Sequence, residues 1–401
     1  MEYQIADRMS SLKPSVIREI LKYSSDPTVI SFSAGNPAPE VFPVEAVREI
    51  SERILRENPV LALQYNFTEG YPKLRDTVKR YMAEKHHSFN ENLDELIITT
   101  GAQQVMDLTT KVLVNEGDVV ICEAPSFIGS LNTFRSYNAV LKGVKMDDDG
   151  INLEALEQTI RENPNAKLLY LIPNFQNPSG LTTSLEKRKA VYELAKKYSI
   201  VILEDNPYGD TRVSGTALPN IKSFDKDGLV VYAGTFSKVI SSGMRVGYAI
   251  APKPLMQKMV VGKQCSDVHT NMWAQIVIDE FLNNYHFDEH LKKLAEVYRK
   301  KSALMLHKID ECLAPHGITH TQIDGGLFVW CTLPDGISMP EFCQRAVERK
   351  VCVVPGNAFL TDENEPCQSF RMNFSTPTDE NIVKGIEILG QLAEEMLREA
   401  K

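Results

Sequence analysis

The sequence predicts an α/β protein: a mostly parallel sheet with helices on both faces, accompanied by a smaller α+β unit. Three observations lead there. Short runs of Val, Ile and Leu recur through the middle of the chain without polar alternation, as expected for strands buried on both faces. Between them lie segments with a 3.6-residue apolar period. After about residue 285 the texture changes to charged helix and short alternating strands.

Leu96–Thr100 (LIITT) reads as a short buried strand that runs through Gly101 into a helix over Gln103–Val114. Val119–Glu123, Lys167–Pro173 and Ile200–Asp205 are further apolar strands. Leu185–Tyr198 places Ala190, Val191, Leu194, Ala195 and Tyr198 at helical spacing. Leu229–Ala233 and Val246–Ala251 complete the set, and alternation of strand with helix gives layers on both sides of one sheet. Beyond residue 285, a charged helix over His290–Leu313 leads to strands at Gly326–Thr332 and Val351–Val354. A helix over Thr378–Glu399 closes the chain. An amphipathic helix at Ser15–Lys22 and the loop-rich Ser33–Pro39 are expected to pack with this C-terminal part, because the two flank the central unit. The expected division is 1–45, 46–285 and 286–401. A prior of about 150 residues per domain gives roughly two to three units.

Composition narrows the function classes. The chain has 44 basic and 53 acidic side chains, a net charge of −9. That argues against a nucleic-acid footprint and against an anionic membrane as main partner. No run of about 18 apolar residues offers a spanning helix. Asp7, Arg8, Lys13, Arg18 and Glu19 interrupt any signal-peptide core. The seven cysteines are an odd number without a C-x-x-C pair, so they read as reduced thiols and the cytoplasm as the expected compartment.

Ligands of open α/β sheets gather outside the carboxyl ends of strands. Asn177, Asp205 and Lys238 each follow such an end. Each alone has an ordinary reading: Asn-Pro-x-Gly is a turn, an Asp after a strand caps a helix, and a lone Lys is solvated. Their combination differs. The blocks Asn177-Pro-Ser-Gly180, Glu204-Asp-Asn-Pro-Tyr208, Thr235-Phe-Ser-Lys238 and Arg245-Val-Gly247 stand in order. They resemble the fold type I enzymes that use pyridoxal 5′-phosphate. Within that group the chain is similar to the class I/II aminotransferases, in the branch of kynurenine/2-aminoadipate aminotransferases and the catalytic half of MocR-type regulators. The resemblance runs from about residue 12 to the C-terminus.

The resemblance implies a three-layer large domain of the aspartate aminotransferase type, with a small domain built from the N- and C-terminal segments. It implies a role for each matching residue. Lys238 binds the cofactor aldehyde as an imine and, once displaced by substrate, carries the α-proton. Asp205 keeps the pyridine nitrogen protonated, and Asn177 and Tyr208 face the phenolic oxygen. Gly101, Ala102 and Gln103 open a helix toward the phosphate, joined by Thr235, Ser237 and Arg245. Relatives commonly carry Ser or Thr near Ala102, so Gln103 is expected to take more of that work. Phe127 stacks on the ring at a position that is usually Tyr. Arg371, in Ser369-Phe-Arg-Met-Asn-Phe374, anchors the substrate carboxylate; taken alone it reads as a surface salt bridge. Asn177 and Gly35 line the substrate side, and Arg18 either approaches the substrate or is a solvated charge. Tyr65 reaches the phosphate of a neighbouring subunit, implying a homodimer; taken alone it is a core aromatic.

The implied activity is amino-group transfer from an L-amino acid to a 2-oxo acid, 2-oxoglutarate above all. It runs as a ping-pong reaction through pyridoxamine phosphate. An apolar wall from Tyr65, Phe127 and Gly325–Trp330 suits aromatic or branched side chains, and Arg18 would suit 2-aminoadipate. A lyase on the same fold is the alternative. A ligand-sensing regulator is disfavoured by the lack of room ahead of residue 12 for a DNA-binding domain. No metal is expected. His286-Phe-Asp-Glu-His290 fits the H-x-x-E-H pattern, which would put both histidines on one helical face, but no third ligand is evident. Asp147–Gly150 reads as a turn before a helix capped by Asn152.

Overall fold

Alternate residues of the central strands belong to different hydrophobic clusters, and that alternation makes the layers. The computed structural model describes residues 3–10, 12 and 26–400; the helix expected at Ser15–Lys22 and Arg18 lie outside them. Its strands are β1 (Ile30–Ser31), β2 (Asp94–Thr99), β3 (Val119–Ala124), β4 (Val140–Asp147), β5 (Gly150–Ile151), β6 (Ala166–Leu171) and β7 (Val201–Asp205). They continue with β8 (Val230–Thr235), β9 (Gly247–Pro252), β10 (Thr319–His320), β11 (Phe328–Thr332), β12 (Val351–Cys352), β13 (Val354–Pro355) and β14 (Ser369–Asn373). The main sheet runs β2-β9-β8-β7-β6-β3-β4-β5. Leu168 and Tyr170 of β6 pack into one cluster, with Val105 and Met106 of the Ala102–Leu113 helix. Leu169 and Leu171 point the other way, onto Val191 and Ala195 of the Leu185–Tyr198 helix. A strand period of two therefore delivers one apolar residue to each face in turn.

The expected strands form with boundaries shifted by a few residues. At Lys167–Pro173, β6 ends at Leu171 and the chain leaves the sheet toward Asn177; the single strand expected at Val351–Val354 is instead two, β12 pairing with β1 and β13 with β14. Several helices had not been anticipated. Met272–Asn284 is one: Ala274, Ile276, Val277, Ile278 and Phe281 are buried around its circumference, so no amphipathic stripe announces it. Asn152 does cap its helix, accepting from Ala155 N. The pair His286/His290 is a correction. His286 precedes the Phe287–Cys312 helix in a left-handed conformation (φ 50°) and does not share a helical face with His290. His290 instead donates from Nε2 to the Val239 carbonyl at 2.5 Å.

A second, antiparallel sheet runs β10-β11-β14-β13. β1 pairs in parallel with β12, Ile30 opposite Val351, which ties the early residues to the C-terminal region. The Phe287–Cys312 and Asp379–Glu399 helices pack together, with Gly390 lying directly against the Cys312 carbonyl.

Candidate active site

Strand direction gathers the site. β3, β6, β7 and β8 are parallel neighbours. β9 is antiparallel to β8, and β2 is antiparallel to β9, so β2 runs with β8. The carboxyl ends of β2, β3, β6, β7 and β8 thus share one edge, where β9 begins. Gly101, Phe127, Asn177, Asp205 with Tyr208, and Lys238 follow those ends, and Arg245 precedes β9. A cavity of about 460 Å³ opens there, with Lys238, Asp205, Asn177, Arg245 and Arg371 in its wall.

Its floor is charged and dry. Asp205 is buried at the end of β7 and accepts a hydrogen bond from Tyr170 Oη at 2.7 Å on Oδ2. Its other oxygen, Oδ1, is buried with no partner among the described residues. Burial pushes the Asp205 carboxyl up to about 7, against the pull of Tyr170 and of the Lys238 charge. Tyr170 is itself held by Ser130, whose hydroxyl donates to it at 2.9 Å. Lys238 Nζ donates to the Gly35 carbonyl at 2.6 Å. Burial, with Arg245 and Arg371 nearby, lowers the Lys238 amine to about 8.

The opposite wall is a buried cation without an anion. Arg371 on β14 is 2% exposed. It donates from Nη1 to Asn177 Oδ1 at 2.8 Å and from Nη2 to the Ser33 carbonyl at 2.7 Å. No carboxylate pairs with it among the described residues, and its Nε has no partner there. The guanidinium carbon lies 4.1 Å from the ring centre of Phe328 and 5.0 Å from that of Phe359. Burial lowers it to about 10, so it stays cationic at neutral pH. The surface-salt-bridge reading of Arg371 is therefore wrong.

The third wall is a cradle for an anion. Gly101 sits at φ 72°, and a Cβ there would fall on Arg245 Nη2. Gly247 has no room for a Cβ either, with Gly234 O at 2.8 Å and Ala102 N at 2.9 Å from its position. Arg245 donates from Nη1 to Ser237 Oγ at 3.1 Å and to the Ser242 carbonyl at 3.2 Å. Thr235 Oγ1 donates to Ser237 Oγ at 2.9 Å. Two hydroxyls, a guanidinium and the first N–H groups of the Ala102–Leu113 helix thus converge, a donor set that fits a phosphate. A buried, unpartnered carboxylate oxygen fits a protonated ring nitrogen. Together with a lysine of lowered basicity, these groups fit pyridoxal phosphate.

The family described as "Aminotransferase class I and II" matches residues 27–389. The chain belongs to that family. An aromatic-amino-acid aminotransferase of Thermococcus litoralis is 36% identical over 401 residues, 99% of this chain and 95% of that protein. A 2-aminoadipate transaminase of Thermus thermophilus is 38% identical over 390 residues, 96% of this chain and 95% of that protein. The structure of Pyrococcus horikoshii kynurenine aminotransferase, in complex with PMP, superposes with a TM-score of 0.94 at 33% identity. The match covers 98% of this chain and 97% of that one. The aminotransferase is a fold type I enzyme, its cofactor is pyridoxal 5′-phosphate, and its substrates are an amino acid and a 2-oxo acid.

Most of the site residues anticipated for the aminotransferase line the one cavity, including Gly35, Ala102, Phe127 and Tyr208. Gly101 lies behind it as the turn that admits Arg245. Gln103 behaves differently from expectation. Its side-chain amide is already engaged, donating to Gly129 O at 3.0 Å and to Thr133 Oγ1 at 2.5 Å, which leaves its backbone N–H for an anion. Tyr65 is 79% exposed with its ring edge-on to His269, so the core reading is wrong, and it does not line the cavity of its own chain. Tyr170 and Phe359 had escaped the sequence. Tyr170 was hidden inside an apolar strand, where a tyrosine between leucines signals only burial. Among the described residues no group of three or more His, Cys, Asp or Glu could hold a metal. No helix there is long and apolar enough to cross a membrane.

Proposed function

We propose that the aminotransferase takes its amino group from L-amino acids with aromatic, branched or 2-aminoadipate-like side chains, and passes it to 2-oxoglutarate by a ping-pong reaction. The observation that carries the reading is Arg371. A buried guanidinium without an anion, with a free Nε and Phe328 stacked on it, is suited to an α-carboxylate beside an apolar side chain. The names of the relatives support the same substrate range.

In this reading the cofactor, once bound, withdraws electrons from the substrate Cα. The chain's residues do the rest. Arg371 and Asn177 fix the carboxylate, which sets the Cα–H bond toward Lys238. Lys238 Nζ, near neutrality at about 8, would take that proton from Cα and carry it to the aldehyde carbon of the cofactor. Asp205 Oδ1 holds a proton at the ring nitrogen, steadied by Tyr170. Asn177 and Tyr208 hold the phenolic oxygen, and the Asn177 amide lies against the Tyr208 hydroxyl. Ala102 N, Gln103 N, Thr235, Ser237 and Arg245 hold the phosphate. Phe127 covers the ring, its own ring folded over Gly129, where a Cβ would meet it at 2.6 Å.

Exposed Val60, Leu63, Tyr65 and Phe67 support a homodimer in which Tyr65 completes the partner's phosphate site. Pairing of β1 with β12 supports a small domain made of residues 1–45 and 286–401 beside a large one of 46–285. Seven free cysteines support a cytoplasmic setting. The test is an absorbance titration of the loaded enzyme with an amino-acid panel. Loss of the visible band to phenylalanine, leucine or 2-aminoadipate and its return with 2-oxoglutarate is expected. A band that none of these donors moves would refute the substrate assignment.

A further inference from the structure

Beneath the loops that carry Asn177 and Tyr208 runs an unbroken chain of buried polar side chains. Arg188, fully buried, donates to the Pro173 carbonyl at 2.8 Å and to Asn174 Oδ1 at 2.7 Å. Asn174 Nδ2 donates to Asn206 Oδ1 at 3.0 Å. Asn206 Nδ2 donates to Asn220 Oδ1 at 3.2 Å and to Tyr232 Oη at 2.9 Å. Asn220 Nδ2 donates to Ser88 Oγ at 3.0 Å, and Ser88 Oγ donates to the His86 carbonyl at 2.8 Å. Asn174, Asn206, Asn220 and Ser88 are each less than 9% exposed.

The direction of the chain is set at its first member. A guanidinium can only donate, so Asn174 must present its oxygen to Arg188 and its amide hydrogens to Asn206. Asn206 must then do the same to Asn220. Every link points one way, from a cation to a backbone carbonyl, so each bond polarises the next. A wholly apolar replacement of such a network is often no less stable. Fold stability alone therefore gives weak reason for it.

Its position gives a better one. Asn174 lies three residues before Asn177, and Asn206 lies between Asp205 and Tyr208. The Asn206 amide packs on the Tyr208–Gly209 turn so closely that a Cβ on Gly209 would stand 2.7 Å from Nδ2. The Asn174–Asn206 bond is thus a direct strut between the loop after β6 and the loop after β7. Arg188 holds one end, with further bonds to the Thr183 and Pro219 carbonyls at 2.9 and 3.0 Å. Asn220 and Tyr232 hold the other.

We propose that this Arg188–Asn174–Asn206–Asn220–Ser88 chain is a positioning device that sets the separation of Asn177 and Tyr208, with Asn206 as its central member. The proposal rests on the reading above that those two groups face the phenolic oxygen of the cofactor. Donors aimed at that oxygen weaken its hold on the proton of the Lys238 linkage. Letting the two loops drift apart therefore makes the proton harder to remove.

The test uses the full-length, cofactor-loaded protein without substrate. The pH midpoint of its visible absorbance band is measured for wild type and Asn206→Leu, together with cofactor affinity and the melting temperature of the cofactor-free form. The expected result is a midpoint raised by about one pH unit, with weaker cofactor binding. Asn220→Ala removes only the far anchor. It is expected to shift the midpoint the same way by less, and it carries the test should Asn206→Leu not fold. A lowered melting temperature with an unmoved midpoint would reduce the chain to a fold element and overturn the proposal alone. A wild-type band that does not titrate at all would overturn the reading of the site as well.

Discussion

Replacing Asp205 by Asn should stabilise the cofactor-free protein while disabling the loaded one. The carboxylate sits at the end of β7 with one oxygen satisfied by Tyr170 and the other facing no partner among the described residues. Burial raises it from an ordinary 3.8 to about 7. At about 1.36 kcal/mol per pH unit, that difference is a penalty of roughly 4 kcal/mol on the ionised, unpartnered group. An acid whose folded value is raised contributes full stability below its unfolded value. That stability is lost as the pH climbs through the folded value. Cofactor-free wild type should therefore weaken between about pH 4 and pH 7, and Asp205→Asn should remove the part of that slope that Asp205 contributes. Asn still accepts from Tyr170, so the neighbouring bond survives. Glu123, pushed up by burial from 4.5 to about 8, contributes a slope at least as large, but it is present in both proteins, so their difference isolates Asp205. The assay is urea unfolding of the cofactor-free forms at pH 5 and pH 8, at equal protein concentration because assembly contributes to stability. Asp205→Asn should gain up to about 4 kcal/mol at pH 8 and much less at pH 5. The loaded variant should lose about 100-fold or more in turnover, since the ring nitrogen has no counter-charge. Equal stability of the two proteins at pH 8 would refute the claim that this carboxylate is stored at a cost until the cofactor arrives.

Capture of the cofactor by Lys238 needs the neutral amine, which burial and two guanidinium groups bring to about 8. The reconstitution rate should rise about tenfold between pH 7 and pH 9 and then level, as stopped-flow absorbance would record. Gly101→Ala puts a methyl onto Arg245 and strains a φ of 72°; equilibrium dialysis should show cofactor affinity reduced by about tenfold or more. Arg371→Leu should cost about 2–4 kcal/mol in kcat/KM for the amino acid, with cofactor affinity nearly unchanged by the same dialysis. His290→Leu leaves the Val239 carbonyl without its Nε2 donor. It should lower stability by about 1–3 kcal/mol in urea above neutral pH and by less in acid, because burial lowers the His290 imidazole and only the wild type then loses stability as the pH falls below the ordinary histidine value.

The sheet and the strand-end residues were legible because each rests on local chemistry. A run such as LIITT before Gly101 signals a buried strand and a turn without reference to anything distant. Asn177, Asp205 and Lys238 were legible through spacing, since parallel neighbours deliver their carboxyl ends to one edge. What the sequence could not carry was register between remote segments. Arg371, taken apart from its block, reads as a surface charge until β14 is placed between β11 and β13, with Phe328 and Phe359 on its guanidinium. Gln103 reads as a free donor until the helix beginning at Ile128 is set beside it. The two histidines read as neighbours on one helical face until the helix is seen to start one residue after His286.

The same distinction explains why the chemistry of this enzyme is easier to read than its choice of substrate. The groups proposed to act on the cofactor come from neighbouring strand ends, so a single topological rule positions all of them. The cavity walls proposed to meet a substrate side chain come from Gly35, Phe127 and Phe328, which belong to three different parts of the chain. Gly35 illustrates the sensitivity. A Cβ there would stand 3.2 Å from the Phe328 ring, and the Gly35 carbonyl is the acceptor for Lys238. One added methyl would press on the apolar wall, while the backbone of the same residue holds the Lys238 amine. In the proposed reading, the apolar wall and the seating of Lys238 thus meet at a residue with no side chain of its own, and that meeting becomes visible only once the first strand is docked against β12.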